Sequence, residues 1–178
     1  PALMTAFLDE MHAHDMKAFV YINDLIFRNF KEDPEAFRAV YERAYADFGH
    51  HPATLGFFIG DEPLHPAEFK ACVRAYQIMR EVSPELTPLL NFNPYWLGIE
   101  TDFLGGQKFE DWLDNFIDAS GCPLICYDCY WQMNPEEEGT NSYFLNLNKY
   151  TSAGKRKGVK VWNTLLSVGH FRYRVPSE

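Results

Sequence analysis

The amino-acid sequence predicts an α/β fold in which a parallel sheet is covered by helices. Five short apolar segments are typical of buried strands, and their first residues lie 37, 33, 36 and 35 positions apart. Segments with apolar residues at helical spacing separate these strands. Strands that alternate with helices in this way are joined by crossover helices, so neighbouring strands run parallel. The predicted strands are residues 18–23, 55–60, 88–92, 124–127 and 159–165.

The first two helices are predicted from apolar spacing and from the residues that begin and end helices. Apolar residues between positions 3 and 11 predict a helix that leads into the first strand. Asp33 and Pro34 are a cap and a first helical residue, and apolar side chains follow at helical spacing over residues 37–48. Gly49 is expected to end this second helix with a positive φ.

Three further helices are predicted in the same way. Pro66 begins one of them, and its apolar face runs over residues 69–79. Residues 109–117 repeat the spacing before Gly121. A weaker pattern over residues 142–153 predicts a last helix, which Gly154 is expected to end.

Two architectures fit this order of elements: a doubly wound open sheet and a (β/α)8 TIM barrel. The doubly wound sheet would carry a glycine-rich phosphate-binding turn after an early strand, whereas the sequence has only the pair Gly105-Gly106, which a tight turn explains. A barrel of eight units needs about 250 residues. We therefore expect residues 1–178 to form one partial (β/α)8 domain of five strands, with about three units outside this sequence.

The composition excludes several classes of partner. There are 16 Lys and Arg residues against 25 Asp and Glu residues, a formal net charge of −9, which argues against binding to nucleic acid. No apolar run reaches the roughly 18–20 residues of a membrane helix. The 47% of hydrophobic residues is sufficient for a buried core.

Polar residues follow each predicted strand, in most cases beside an aromatic ring. In parallel α/β folds, the chemistry lies at the carboxyl ends of the strands. The alternative is that Asn and Asp follow strands because they favour turns, but turn chemistry does not also require Trp and Tyr. The polar residues at these ends are Asn23-Asp24, Asp61-Glu62, Asn91 and Asn93, Asp128, and Asn163.

The end of the second strand is the most informative of these segments. Because side chains alternate along a strand, Gly56, Phe58, Gly60 and Glu62 are expected to share one face. The other face is expected to contact the helices, and it holds Leu55, Phe57, Ile59 and Asp61. Two glycines on one face leave room for a ligand or for crowded side chains. A carboxyl group held there near aromatic rings is expected to have a raised pKa and to donate a proton. Alternatively, Asp61 and Glu62 cap the helix that begins at Pro66.

Three segments resemble clan A glycoside hydrolases, the β-galactosidase-like (β/α)8 barrels. Residues 55–63 resemble the fourth strand of that family, residues 124–131 the sixth and residues 161–170 the seventh. The resemblance extends over most of the chain from Lys17 onward. It implies that the chain holds strands three to seven, that the protein cleaves O-glycosidic bonds of a carbohydrate, and that it is extracellular or periplasmic.

The resemblance also implies roles for individual residues. Glu62 corresponds to the acid/base, and Asp61 to the residue that contacts the sugar 2-hydroxyl. The nucleophile of the family is a Glu at the end of strand seven, but residues 161–169 contain no carboxylate. We assign the second carboxylate to Asp128, at the end of the sixth strand. Asp24, a residue outside this chain, or no residue at all are the alternatives.

Polar and aromatic residues near the strand ends are candidate sugar-binding groups. A pyranose stacks its CH face on an aromatic ring while polar groups bind its hydroxyls. About half of these rings would equally serve as core, and the Asn side chains could instead satisfy loop backbone groups. The candidates are Asp24, Asn91, Asn93, Trp96, Tyr127, Tyr130, Trp131, Asn163 and His170.

No cofactor or metal is expected. Cys126 and Cys129 point to opposite faces if both lie on a strand, which favours buried structural thiols over a zinc site. Two rival functions remain at this point: a non-catalytic sugar-binding barrel, and a metal-dependent sugar isomerase or lyase. The second would need several convergent ligands. Its candidates are Asp24, Asp61, Glu62, Asp128 and His170.

Overall fold

The computed structural model describes residues 2–131 and 139–166, together with Gly169 and Tyr173. Five strands form one parallel sheet, as the sequence predicts, and they are arranged in chain order. A doubly wound sheet reverses its strand order at a switch point, and this sheet does not, so it is consistent with a partial α/β barrel. The strands are β1 (Ala18–Tyr21), β2 (Thr54–Asp61), β3 (Thr87–Phe92), β4 (Leu124–Asp128) and β5 (Lys160–Thr164).

Helices connect successive strands. Two 3₁₀ turns, Asn23–Leu25 and Phe27–Phe30, follow β1, and a π-helical turn, Tyr45–Gly49, continues the second helix. In the described part of the chain, no helix has both the length and the apolarity that crossing a membrane requires. The helices are α1 (Ala2–Ala13), α2 (Ala36–Ala44), α3 (Pro66–Val82), α4 (Ile99–Asp102), α5 (Phe109–Ser120) and α6 (Thr140–Lys157).

The core lies between the sheet and the helices. Phe57 of β2 packs edge-on against Tyr41 of α2, with 5.4 Å between ring centroids, and Phe92 of β3 packs against Phe116 of α5 at 4.9 Å. All four rings are almost completely buried. The sequence assigned Phe57 and Asp61 to the helix side of β2. Phe57 lies there as expected, whereas Asp61 contacts Asn91 on the other side of the sheet.

The other side of the sheet is strongly curved, and we call it the concave face. Rings of the two outermost strands meet across it, because Phe19 of β1 lies 5.9 Å from Trp162 of β5. In a flat sheet, five strands at about 4.8 Å spacing would hold these strands about 19 Å apart. The curvature is what a segment of a barrel requires.

The glycines of β2 do not leave the space that the sequence predicted. A Cβ on Gly56 would lie 1.7 Å from the carbonyl oxygen of Thr87, so the neighbouring strand fills that position. The register with β3 shifts between Phe58 and Gly60, and a Cβ on Gly60 would lie 2.1 Å from the ring of Phe27. This bulge interrupts the alternation, so Gly60 faces the buried Phe27 instead of sharing a face with Phe58.

Two predicted helix ends also differ from the structure. Gly49 has no positive φ; a Cβ there would lie 2.1 Å from the ring of Tyr45, so a close approach requires the glycine. The last helix continues through Gly154 and ends at Gly158, whose φ is 68°. Gly154 packs instead against Val161 of β5, where a Cβ would be 2.4 Å from the valine methyl group.

Candidate active site

Three carboxylates gather at the carboxyl ends of β2 and β4, with an amide between two of them. The Nδ2 atom of Asn91, on β3, donates hydrogen bonds of 2.8 Å to Asp61 Oδ1 and of 2.8 Å to Asp128 Oδ1. The two accepting oxygens are therefore less than twice that distance apart. Strand order explains the arrangement, because β3 lies between β2 and β4 and its side chain reaches both neighbours.

Glu62 follows Asp61 in a left-handed backbone conformation with φ 49°. A non-glycine residue in this region is strained and persists only when its surroundings hold it. The Glu62 amide donates to the Asn91 carbonyl at 2.7 Å, and the Glu62 carbonyl accepts from Arg28 Nη2 at 2.7 Å. Both backbone polar groups of the residue are thus fixed by other elements.

The residues after Glu62 are held in the same way. Asn93 donates through Nδ2 to the carbonyl of Pro63 at 3.1 Å, and the amide of Leu64 donates to Glu68 Oε2 at 3.1 Å. Glu68 is only 7% exposed, and its other oxygen accepts from Arg28 Nε at 3.0 Å. Arg28 and Glu68 therefore bind the segment on both sides of Pro63.

The electrostatics of this cluster keep a proton on Glu62 near neutral pH. Burial, together with the negative charges of Asp128 and Asp61, raises the pKa of Glu62 to about 7, although the charge of Arg28 opposes the shift. Burial also raises the pKa of Asp128, against hydrogen bonds from Asn91 and Tyr130. A carboxyl group with a pKa near 7 can both donate and accept a proton at that pH.

The alternative role for the acidic pair is not what the structure shows. The residue that precedes α3 is His65, and no side chain caps the helix there. Glu68, within the first turn, is the carboxylate that accepts a backbone amide, from Leu64. Asp61 and Glu62 therefore do not cap α3, and they belong to the carboxylate cluster.

Three of the candidate sugar-binding residues lie in the core instead. The ring of Tyr127 is 0% exposed and stacks on Tyr150 of α6 at 3.9 Å. Asn163 occupies the same side of the sheet, and its amide atoms are buried. Asn93 is 2% exposed and supports the backbone of Pro63. These predictions are corrected, because side chains with buried polar groups are closed to a ligand.

The remaining candidates are spread around the cluster. Tyr130 hydrogen-bonds Asp128 and joins the site. Trp96 is half-buried against Phe103, with 5.6 Å between centroids, and Trp131 packs partly on the core. Asp24 is exposed in the 3₁₀ turn after β1. His170 lies outside the described residues.

Arg28 and Glu68 are site residues that the sequence analysis missed. Arg28 lies in the connection after β1, where no periodic pattern singles it out. Glu68 is a charged residue in the first turn of a helix, an ordinary position that gives no sign of burial. A charged pair that is 40 residues apart in sequence becomes visible only in three dimensions.

A metal site receives no support from the described residues. Within 2–131 and 139–166, no three His, Cys, Asp or Glu side chains come together in a group suited to a metal ion. All four cysteines are free and buried, as expected for structural thiols. Burial raises the pKa of the Cys122 and Cys129 thiols to about 11.

Comparisons with known proteins support the fold. No protein-family model matches the chain, and no curated protein sequence is similar to it. A crystal structure described as a putative alpha-L-fucosidase from Bacteroides thetaiotaomicron is similar, with a TM-score of 0.67 and 10% sequence identity. The similarity covers 98% of this chain and 59% of that chain, so the present chain spans less than two thirds of that protein. At this identity the likeness concerns the fold alone.

Proposed function

We propose that this chain carries the catalytic centre of a glycoside hydrolase and that Glu62 is its proton donor. The observation that carries the proposal is the cluster of carboxylates at the strand ends, in which one amide joins Asp61 to Asp128 and Glu62 has a pKa raised to about 7. Glycoside hydrolysis uses one carboxylic acid that keeps its proton and a second carboxylate that is ionised. The fold likeness to a protein described as a fucosidase supports the same class of reaction.

The cluster supplies the groups for each step. Protonated Glu62 gives its proton to the glycosidic oxygen as the bond from that oxygen to the anomeric carbon breaks. The positive charge that develops on the sugar ring is stabilised by the ionised second carboxylate, for which we propose Asp128. Glu62, now ionised, accepts a proton from the water that completes the hydrolysis.

Asp128 is proposed over Asp61 because its surroundings fix it more firmly. It is half-buried, it accepts from Asn91, and Tyr130 also hydrogen-bonds it, whereas Asp61 is exposed. A carboxylate that faces a cation in the transition state must be held rigidly if it is to stabilise that charge. Asp61 then contacts a substrate hydroxyl, the role that the resemblance implies.

One observation favours a second candidate function, a barrel that binds saccharides without cleaving them. β5 contains no carboxylate, and Thr164 lies opposite Asp128 at the end of that strand. The family that the sequence resembles places its nucleophile on the corresponding strand. If Asp128 does not replace it, the protein binds sugar only.

Aryl glycosides with leaving groups of different strength test the proposal on the full-length protein. For galactosides and fucosides with a poor leaving group, Glu62→Gln should lower kcat by about 10²–10⁴-fold, the usual contribution of a general acid. For a dinitrophenyl glycoside the loss should be much smaller, because dinitrophenolate departs without a proton.

Glu32→Gln is the matched control, since Glu32 is an exposed carboxylate in the connection before α2. This substitution should leave kcat for both kinds of substrate unchanged. A loss below about tenfold for the poor leaving group would remove the acid role of Glu62. A wild-type protein that binds saccharides and cleaves none of the substrates would establish the second candidate function.

A further inference from the structure

Beside the carboxylates, a hollow of about 360 Å³ opens between the carboxyl ends of β1 and β2. This volume is at the lower end of the range for small-ligand pockets, about 300–1,000 Å³. Asp61 belongs to both the hollow and the cluster, so the two are continuous. The lining includes Tyr21, Asn23, Arg28, Asn29, Phe58 and Asp61.

Two aromatic rings form one wall of the hollow. The centroids of Tyr21 and Phe58 are 5.9 Å apart and their planes are inclined by 37°. Tyr21 is 52% exposed at the end of β1, an edge strand of the sheet. An exposed ring face is a suitable surface for the CH groups of a sugar.

The opposite side of the hollow offers both hydrogen-bond donors and acceptors. Arg28 uses Nε for Glu68 and Nη2 for the Glu62 carbonyl, and Nη1 has no partner among the described residues. Asp61 accepts from Asn91 through Oδ1, which leaves Oδ2 for a ligand. Asn29 is exposed, and its side-chain amide donates to the carbonyl of Asn23 at 3.3 Å.

The charges select the chemical class of the ligand. The positive charge of Arg28 is neutralised by Glu68, 3.0 Å away. Asp61 is exposed at the edge of the hollow, and Glu62 and Asp128 add negative charge beside it. An anionic sugar would therefore be repelled, whereas the hydroxyls of a neutral sugar match the donors and acceptors.

We propose that this hollow binds one ring of an uncharged saccharide. The ring stacks on Tyr21 and Phe58, its hydroxyls bind Asp61, Asn29 and Arg28, and the glycosidic bond at its edge extends toward Glu62. The inference rests on the proposed function for its orientation. The binding of the sugar is a separate property that can be measured without catalysis.

Direct binding measurements on the full-length protein test the proposal. The probes are methyl β-D-galactopyranoside and methyl α-L-fucopyranoside as neutral sugars and D-glucuronate as the anionic one. At least one neutral glycoside should bind, and glucuronate should bind at least about tenfold more weakly. Tyr21→Ala should weaken the neutral glycoside by about tenfold, which corresponds to the loss of one stacking contact of about 1.4 kcal/mol.

Two further variants separate stacking from folding. Tyr21→Phe keeps the ring and should retain the wild-type affinity within about threefold. Phe144→Ala removes a ring that is 59% exposed on α6, away from the hollow, and should change nothing. Comparable losses in Tyr21→Ala and Phe144→Ala would overturn the proposal.

The outcomes for the two proposals are distinguishable. Hydrolysis that depends on Glu62, together with a neutral-sugar affinity unaffected by Tyr21→Ala, would overturn the proposed sugar binding in the hollow. The proposed hydrolase function would stand. Binding that depends on Tyr21 in a protein that cleaves no glycoside would support sugar binding in the hollow and overturn the proposed hydrolase function. If the protein binds none of the three probes, the proposed sugar binding in the hollow is wrong.

Discussion

The guanidinium of Arg28 donates through Nη2 to the backbone carbonyl of Glu62, with 2.7 Å between the two atoms. The two residues are 34 positions apart in sequence. The contact fixes the strained backbone of the proposed proton donor, and the same side chain brings a positive charge close to its carboxyl group. Arg28 therefore acts on Glu62 as a positioning residue and as a charge.

Substitution of Arg28 should separate these two effects. In Arg28→Gln the positive charge that lowers the pKa of Glu62 is absent, so the pKa rises and activity should persist to higher pH. In Arg28→Lys the charge remains, so the alkaline limb of the profile should stay in place. Both variants should lower kcat by about tenfold or more, because neither can hold Glu68 and the Glu62 carbonyl as the guanidinium does. The measurement is kcat as a function of pH, and an unshifted limb in Arg28→Gln would contradict the electrostatic role.

Glu62 should also make the stability of the protein depend on pH. Its pKa is higher in the folded protein, about 7, than its ordinary value of 4.5, so the folded state binds the proton more tightly. The free energy of unfolding should therefore fall as pH rises from about 4.5 to about 7. Glu62→Gln should be more stable than wild type at pH 8 by about 1–2 kcal/mol, after allowance for partial exposure, and equal to it at pH 4.

Denaturant unfolding at pH 4, 6 and 8 measures this difference. Glu32→Gln again serves as the control and should follow the wild type at every pH. A Glu62→Gln variant that is less stable than wild type at pH 8 would show that the carboxylate is stabilised, not strained, by its surroundings.

Removal of the amide between the two aspartates should destabilise the protein. Asn91→Ala leaves Asp61 and Asp128 without their common donor, which should lower the free energy of unfolding by about 1–3 kcal/mol. Since they interact through Asn91, Asp128→Asn combined with Asn91→Ala should be non-additive by at least about 0.5 kcal/mol. Strict additivity would mean that the bridge contributes nothing.

Two glycine substitutions should differ sharply in their cost. Gly56→Ala places a methyl group 1.7 Å from the Thr87 carbonyl oxygen, so the strands must separate and the variant should lose about 3 kcal/mol or more. In Gly105→Ala the added Cβ meets no atom within 4 Å. The only cost is that of an alanine at a positive φ of 65°, about 1 kcal/mol. Thermal unfolding of both variants tests the difference, and equal costs would contradict the close approach of β2 and β3.

Much of the fold could be predicted because its determinants are local. Apolar runs locate each of the five strands, and Pro66 and Gly121 mark the start of α3 and the end of α5. Gly154 was misinterpreted because its role is decided by Val161 on another element. A glycine required by a distant side chain has the same sequence signature as a glycine that ends a helix.

The candidate site could be predicted in part for the same reason. The strand-end rule placed Asp61, Glu62 and Asp128 at one edge of the sheet, where Asp61 and Asp128 share the Asn91 amide. Alternation along β4 puts Asp128 and Tyr127 on opposite sides of the sheet. That alternation also puts Tyr127 on the helix side, so its burial could have been deduced. The bulge before Gly60 and the contacts of Arg28 depend on register and on long-range packing, which one sequence does not encode locally.

The contact between Phe19 and Trp162 decides the direction from which a ligand can approach. The two rings cross the interior near the start of the strands, above a small cavity of about 140 Å³ whose walls include both of them. Aromatic side chains thus fill the concave face near the starts of the strands, as side chains fill the interior of complete barrels. Under the proposed function, a saccharide would enter from the rim where the strands end, past the loops that follow the strands.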